Sequence, residues 1–236
     1  CGLQAIGIQK GDRVGLYLPN TPHYVAAYYG ALLAGAIVVN FSPLYTAAEL
    51  EHQVEDSGTR ILFTLSAKAL LPTALEVLDH SSLETLVVGS IAEVLPRPKA
   101  LLYRLFKRGE VVDIPDDPRV LRYDRLIANK GKCAAVAIDA ERDIALLQYT
   151  GGTTGTPKGA MLTHQNLTAN ARQVQAIDPR HDQPDRIIGV LPFFHVFANT
   201  CTLNRTILNG GEIVMLPRFE AGQVLARNAP AVASAL

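Results

Sequence analysis

The chain has 236 residues, of which 48% are hydrophobic and 19% charged, and its 22 basic residues balance 22 acidic ones. This length suffices for one large domain or two ordinary ones, and the composition is typical of a folded globular protein rather than a disordered one. A formal net charge of zero, with the basic residues scattered along the chain, excludes the strong positive field of many nucleic-acid-binding proteins. We therefore predict no nucleic acid partner.

The three cysteines, Cys1, Cys133 and Cys201, are odd in number and have neither paired nor metal-like spacing. They indicate reduced thiols in a cytoplasmic protein, and we predict no metal ligands among them. No apolar run approaches the roughly 20 residues that a membrane-spanning helix needs, and the first residues lack the pattern of a signal peptide. The chain opens without methionine, and residues 1–8 have the pattern of a helix already under way, so we expect a fragment of a longer protein.

Short apolar runs alternate with amphipathic helices in the first part of the chain. Strands are predicted over residues 13–18, 37–39, 60–64 and 83–88. This alternation indicates parallel βαβ units, and the predicted fold class is α/β, with a doubly wound, mostly parallel sheet and helices on both faces. Ligands of such sheets bind beyond the carboxyl ends of the strands.

Polar residues at the predicted helix starts support this alternation. Thr21 followed by Pro22 predicts one start, because threonine caps helices and proline fits the first helical position. Thr46 and Glu49 have the spacing of a capping box. Ser66 predicts the cap of the next helix.

Residues 96–125 interrupt the pattern with four prolines. Within this segment, residues 99–108 place apolar side chains between basic ends. Two interpretations stay open for it: a solvated connecting helix, and a surface helix that makes peripheral contact with a membrane.

A glycine-rich loop follows a predicted strand over residues 143–149. Binding phosphate requires close backbone approach, N–H and hydroxyl donors, and a cation. The glycines are Gly151, Gly152, Gly155 and Gly159. The hydroxyl donors are Thr150, Thr153, Thr154 and Thr156. Lys158 supplies the positive charge, so the loop is predicted to bind phosphate.

The spacing of this loop excludes two familiar phosphate-binding patterns. A Walker loop has its lysine after a glycine and before serine or threonine, whereas Lys158 lies between a proline and a glycine. A dinucleotide fingerprint has the form G-x-G-x-x-G, and the adjacent pair Gly151 and Gly152 breaks that spacing. Residues 160–162 predict a strand and Thr163 a helix cap, so the loop is predicted to join two strands.

Residues 149–159, with residues 161–167 behind them, resemble the phosphate-binding loop of the adenylate-forming superfamily. That superfamily includes acyl-CoA synthetases, the adenylation domains of peptide synthetases, and firefly luciferase. Its loop has the form Tyr-Thr-(Ser/Gly)-Gly-(Ser/Thr)-Thr-Gly-x-Pro-Lys-Gly, and the chain matches every defined position. The resemblance implies that Lys158 lies at the pyrophosphate end of ATP. It also implies ATP phosphate contacts by Thr150, Gly151, Gly152, Thr153, Thr154, Gly155 and Thr156.

Residues 191–198 match a second motif of this superfamily. A histidine among phenylalanines is more often a packed ring than a catalytic base. The resemblance implies that Phe194, His195 and Phe197 line the acyl and carboxylate pocket, with His195 packing and gating rather than accepting a proton. Residues 10–14, 18–20 and 40–50 resemble the scaffold of the same large domain.

Gly151 in the loop, the proline-punctuated insert and residues 193–198 look most like bacterial long-chain fatty-acid–CoA ligases. The resemblance implies an ATP-dependent acid–thiol ligase that uses ATP, Mg²⁺ and CoA. A fatty acid would attack the α-phosphorus of ATP to give acyl-AMP and pyrophosphate, and CoA would then displace AMP. Two alternatives stay open: a fragment of another acyl- or aminoacyl-adenylating enzyme, and a non-catalytic nucleotide-binding or assembly module.

The same resemblance implies that residues 1–236 are part of an N-terminal AMP-binding domain. We expect a first βα half in residues 1–95, an insert and connecting segment in residues 96–142, and the phosphate loop with the start of the second half in residues 143–236. The C-terminal domain, with its adenylation lysine, is expected to be absent. The chain is therefore expected to be inactive alone, to self-associate through an uncovered sheet face, and to be cytoplasmic or peripheral to the inner face of the membrane.

Overall fold

Two sheets organise the part of the chain that the computed structural model describes, namely residues 1–129, 131, 133–150, 157–178, 183–216 and 222. The strands of the larger sheet are β1 (Arg13–Leu16), β2 (Ile37–Asn40), β3 (Thr59–Leu65), β4 (Thr85–Gly89), β5 (Val120–Arg122), β6 (Ile144–Thr150) and β7 (Lys158–Thr163). The smaller sheet consists of β8 (Arg186–Gly189) and β9 (Glu212–Met215), which pair in parallel.

Helices connect these strands. They are α1 (Gly2–Ala5), α2 (Pro22–Leu33), α3 (Ala47–Ser57), α4 (Leu71–His80), α5 (Arg97–Phe106), α6 (Tyr123–Ile127), α7 (His164–Ala176), α8 (Val196–Ala198) and α9 (Arg205–Leu208). Short 3₁₀ turns cover Ile91–Val94 and Arg108–Glu110, and a π-helical turn at Asn199–Asn204 joins α8 to α9. Within the described part of the chain, no helix combines the length and the apolar character that crossing a membrane requires.

The larger sheet has the strand order β5-β4-β3-β1-β2-β6-β7. Every neighbouring pair is parallel except β6 and β7, which are antiparallel. The chain runs from β1 to β2 in one direction and from β3 to β4 in the other, so right-handed crossovers place α2 and α4 on opposite faces. The predicted α/β fold class, a doubly wound and mostly parallel sheet, is confirmed.

The core lies on both faces of the central strands. Val14, Leu16, Val38 and Leu62 have no exposed surface, as expected for parallel strands covered by helices on each side. Fully burying an aliphatic side chain of this size contributes roughly 1.5–3 kcal/mol to folding. The sheet therefore provides a rigid edge on which the loops are mounted.

Two of the predicted helix caps are confirmed by hydrogen bonds. The hydroxyl of Thr46 accepts from the backbone N–H of Glu49, whose carboxylate accepts from the backbone N–H of Thr46 at 2.8 Å. Hydrogen bonds from Thr46, the backbone one foremost, hold the pKa of Glu49 below its usual value. Thr163 caps α7 by accepting from the backbone N–H of Asn166. Gly58 ends α3 with φ of +61°, a conformation that favours glycine.

The prediction for Ser66 is wrong. Its N–H donates to the carbonyl of Gly89 at 2.8 Å, which continues the pairing of β3 with β4, and α4 begins only at Leu71. The sheet ladder therefore holds Ser66 in place of a helix. Thr21 occupies the N-cap position as predicted, but its hydroxyl donates to the carbonyl of Pro19 and makes no cap.

Candidate functional site

The glycine-rich loop joins β6 to β7, as the sequence predicts. Thr150 and Lys158 are cross-strand partners at the loop end of this hairpin, and both are exposed. Lys158 forms no ion pair with any residue of the described ranges, so its charge is available to an anion. The predicted residues between them, Gly151, Gly152, Thr153, Thr154, Gly155 and Thr156, lie outside the described residues, and their roles stay predictions.

Tyr149 fixes the hairpin next to its loop end. This residue is buried, and its hydroxyl donates to the Asp56 carboxylate at 2.5 Å, beside the end of α3. Burial foremost, and then the bond to that carboxylate, raise the pKa of Tyr149 well above its usual value. Its cross-strand partner is Gly159, where a Cβ atom would lie 3.3 Å from the Tyr149 ring. The close approach of the Tyr149 ring therefore explains why a glycine occupies position 159.

A chain of buried side-chain amides links β2 and β6 to residues 193–194. Asn40 donates to the side-chain oxygen of Gln148 at 3.2 Å, and Gln148 donates to the carbonyl of Phe194 at 3.0 Å. The hydroxyl of Tyr24 lies 2.7 Å from Asn40 Oδ1 and 3.0 Å from the carbonyl of Phe193. Burial raises the pKa of Tyr24 well above its usual value, so this hydroxyl stays a donor. These bonds hold the second motif against the strand that enters the loop.

Asn20 holds the same segment from the carboxyl end of β1. Its amide nitrogen lies 3.0 Å from the carbonyl of Gly189 and 2.7 Å from that of Leu191. Its amide oxygen accepts from the N–H of Phe193 at 2.8 Å. Because Asn20 is only 5% exposed, one side chain satisfies three backbone groups that water cannot readily reach.

The second motif therefore divides into an inner and an outer part. Phe193 is fully buried and packs on Tyr24, with ring centroids 5.6 Å apart. Phe194 is half-buried, and His195 and Phe197 are exposed at the surface. The Nδ1 atom of His195 accepts from the N–H of Phe197 at 3.3 Å, so the proton of the neutral ring lies on Nε2.

Sequence reasoning missed the residues that position this site. On sequence alone, Asn20 and Asn40 belong to scaffold segments, Gln148 and Tyr24 belong to an ordinary strand and helix, and Asp56 has no assigned role. A signal was present, because each of the three amides stands at or just beyond the end of an apolar β-prone run. A polar residue at the carboxyl end of a buried parallel strand points to the ligand edge of the sheet.

Two cavities of about 510 and 520 Å³ lie at other strand ends, beneath α5. Both are lined by Tyr103, the first also by Ser66 and Arg122 and the second by Pro19 and Leu65. Neither is lined by a predicted site residue that the structure describes. We favour the hairpin edge as the site, because it combines a lysine that has no ion pair among the described residues with the threonine- and glycine-rich sequence that phosphate binding requires.

Comparison with known proteins settles the family. A family model described as AMP-binding enzyme matches residues 1–232. The chain belongs to the AMP-binding enzyme family. This confirms the resemblance predicted from the loop.

Two curated relatives and one solved structure illustrate the likeness of this AMP-binding chain. It is 40% identical over 227 residues to a long-chain-fatty-acid–CoA ligase of Bacillus subtilis (strain 168), covering 94% of the chain and 40% of that protein. It is 33% identical over 223 residues to probable 4-coumarate–CoA ligase 1 of Dictyostelium discoideum, covering 93% and 38%. The crystal structure of a long-chain-fatty-acid–CoA ligase (FadD1) from Archaeoglobus fulgidus superposes with a TM-score of 0.75 at 29% identity, covering 96% and 39%. The AMP-binding chain thus spans about two fifths of the length of the curated relatives.

Proposed function

We propose that the AMP-binding chain supplies the ATP-phosphate and acyl-pocket part of an ATP-dependent acid–thiol ligase. The observation that carries this proposal is the bond from Gln148 to the carbonyl of Phe194, because it joins the strand entering the phosphate loop to the segment of the second motif. A fatty acid and an ATP phosphate chain bound at these two places would lie side by side. The name of the Bacillus subtilis relative supports a long-chain fatty acid as the acid.

The proposed reaction has two halves, and this chain serves the first. A carboxylate oxygen of the acid attacks the α-phosphorus of ATP, the bond to pyrophosphate breaks, and acyl-AMP forms. The threonine hydroxyls and backbone N–H groups of residues 150–156, with Lys158, hold the departing pyrophosphate and offset its charge. Phe194, His195 and Phe197 border the acyl chain. CoA thiolate then attacks the acyl carbonyl and releases AMP.

Mg²⁺ is proposed as the partner of the ATP phosphates. When bound, it would neutralise negative charge that develops on the phosphates during the displacement. Among the described residues, no group of three His, Cys, Asp or Glu side chains is placed to hold a metal ion. The resemblance to the adenylate-forming superfamily supports placing Mg²⁺ at the phosphates of the nucleotide.

A second acid class is favoured by one observation. The likeness to a protein named as a probable 4-coumarate–CoA ligase shows that relatives at 33% identity include one named for an aromatic acid. The exposed rings of the second motif would stack on such an acid as readily as they would cover an aliphatic chain. The nature of the acid is therefore the first variable of the test.

A chimera tests the proposal. This chain replaces the matching two fifths of the Bacillus subtilis ligase, and acyl-AMP formation is followed by pyrophosphate exchange with hexadecanoate, 4-coumarate and a mixture of amino acids. We expect exchange with hexadecanoate in the chimera. The double variant Thr153→Ala with Thr154→Ala should lower the exchange rate by about a hundredfold, because the loss of hydrogen-bond donors to the phosphates slows the reaction by about that factor.

The matched control is Thr168→Ala, since Thr168 is an exposed threonine of α7 whose hydroxyl bonds only within that helix. The control should keep full exchange, and the melting temperatures of all three proteins should agree. Equal losses of exchange and of melting temperature in the double variant would make the threonines structural. If amino acids were the only acids that supported exchange, the substrate would be an amino acid and not a fatty acid.

The chain by itself is expected to bind ATP weakly and to form no acyl-CoA. The chain spans about two fifths of the length of the curated relatives it matches, and the reaction of such a ligase is expected to need the whole protein. Calorimetric titration of ATP and Mg²⁺ into the chain measures the affinity, and a thioester assay with hexadecanoate measures turnover. Micromolar binding would favour the alternative of an autonomous nucleotide-binding module, and turnover by the chain alone would contradict this prediction.

A further inference from the structure

Helix α5 turns its large apolar side chains away from the protein. Their exposed fractions are 61% for Leu101, 51% for Leu102, 52% for Leu105 and 80% for Phe106. On the opposite side, Ala100 and Tyr103 are half-buried, and the helix packs on the turn at Ile91–Val94. An ordinary surface helix does the reverse, since its apolar stripe faces the core.

The exposed side chains form one continuous face. At about 100° per residue, Leu101, Leu105, Leu102 and Phe106 fall within an arc of about 140° around the helix axis. Arg97 lies about 40° outside one edge of this arc and Lys99 about 20° outside the other, and both side chains are exposed. We call these six residues the outer face of α5. It is an apolar strip with a basic residue along each side.

The charge around this face has one sign. Residues 97–108 contain five basic residues and no acidic one. The nearest acidic residue that follows, Glu110, is bound to Lys107 at 2.5 Å and so offsets that charge rather than those of Arg97 and Lys99. The rim of the outer face is therefore complementary to an anionic surface.

We propose that the outer face of α5 docks on a bilayer that contains anionic phospholipids. The helix has 10 residues and is about 15 Å long, too short to cross a bilayer but suited to lie in its interface. The leucines and Phe106 enter the acyl boundary, and Arg97 and Lys99 remain at the headgroups. A second copy of the chain is disfavoured as the occupant, because two such faces bring like charges together.

A single-tryptophan probe tests the docking directly, because the natural chain contains no tryptophan. Phe106→Trp is compared with Leu33→Trp, where Leu33 is 68% exposed at the end of α2. With vesicles of phosphatidylcholine and phosphatidylglycerol, we expect blue-shifted emission and quenching by brominated acyl chains for Phe106→Trp only. Pure phosphatidylcholine should give a much smaller effect.

Vesicle flotation of the otherwise unchanged chain provides the second measurement. Leu101→Gln with Leu105→Gln should abolish flotation, whereas Leu33→Gln should leave it unchanged. Arg97→Gln with Lys99→Gln should lower partitioning into anionic vesicles by about 25-fold, since each basic residue near such a surface contributes roughly a fivefold factor. All these positions are exposed, so melting temperatures should agree with that of the natural chain.

Three results would overturn the proposal. The first is a probe at position 106 that stays in water in the presence of anionic vesicles. The second is flotation that Leu101→Gln with Leu105→Gln does not reduce. The third is blue-shifted emission of Phe106→Trp without lipid in a dimer, which would identify a protein as the occupant. None of these measurements requires ATP or an acid, so they do not depend on the proposed ligase reaction.

Discussion

At the scale of single residues, the site depends on side-chain amides more than on charges. An amide carries a donor and an acceptor on one short side chain, so it can satisfy a carbonyl and an N–H together. Asn20 does this for Gly189, Leu191 and Phe193. A carboxylate at the same position would repel both carbonyls, and a lysine could not accept from the N–H.

Asn20→Ala is expected to destabilise the chain by about 2–3 kcal/mol, because it leaves buried backbone groups without partners. Urea unfolding measures the change. Asn129→Ala is the matched control, since that side chain is exposed and, among the described residues, bonds to Leu126 and Gly131 close by in the chain. If both variants lost the same stability, residues 189–193 would not depend on Asn20 for their placement.

At the scale of elements, the guanidinium of one arginine joins the elements that precede and follow the second motif. Arg205, at the start of α9, is 8% exposed and lies 2.7 Å from Asp185, just before β8. It also pairs with Asp178 and donates to Gln175 at 3.1 Å, both near the end of α7. The helix α7, the strand β8 and the helix α9 therefore share one anchor.

Arg205→Met should cost about 3–5 kcal/mol of unfolding free energy, since it leaves two carboxylates poorly solvated and without their cation. Arg142→Met is the comparison, because Arg142 is 87% exposed and its ion pair with Asp139 spans 3.8 Å. We expect that change to be well under about 1 kcal/mol. Chemical denaturation of both variants measures the difference, and similar costs would show that burial of Arg205 adds nothing.

At the scale of the whole molecule, ion pairs at the strand starts link stability to pH. The Arg60 guanidinium holds the pKa of Glu84 below its usual value, chiefly through a hydrogen bond, and joins β3 to the segment before β4. Lys10 likewise holds the pKa of Asp143 below its usual value, at the start of β6. A lowered carboxyl pKa means that the native state binds protons less readily than the unfolded one.

The contribution of these ion pairs to the melting temperature should therefore change little above about pH 5 and fall as the pH drops through 4.5, the ordinary pKa of a glutamate. The stabilisation by these ion pairs is fully present above the carboxyl pKa of the unfolded chain. It is lost as the pH falls through the carboxyl pKa of the folded chain. Scanning calorimetry over a pH series measures the fall. Arg60→Gln should lower the plateau slightly and make the acid decline shallower. An unchanged slope would assign the acid sensitivity to other groups.

The sequence by itself predicted a large part of the architecture. The alternation of strands and helices was confirmed from β1 to β4, as were the caps at Thr46 and Thr163 and the joining of two strands by the loop. These features depend on residues within a few positions of one another. The prediction from sequence missed β5, β8 and β9, which are three or four residues long and pair with strands elsewhere in the chain.

The sequence by itself predicts the chemistry of the loop, because the order of its glycines, threonines and lysine is a local property. Only the tertiary structure decided which residues hold the second motif beside the strand that enters the loop, because Asn20 meets Phe193 across 173 positions of the chain, and sequence spacing carries no such contact. It also decided which way α5 faces. Periodicity shows that a helix has an apolar side, but only packing shows that this side points outward.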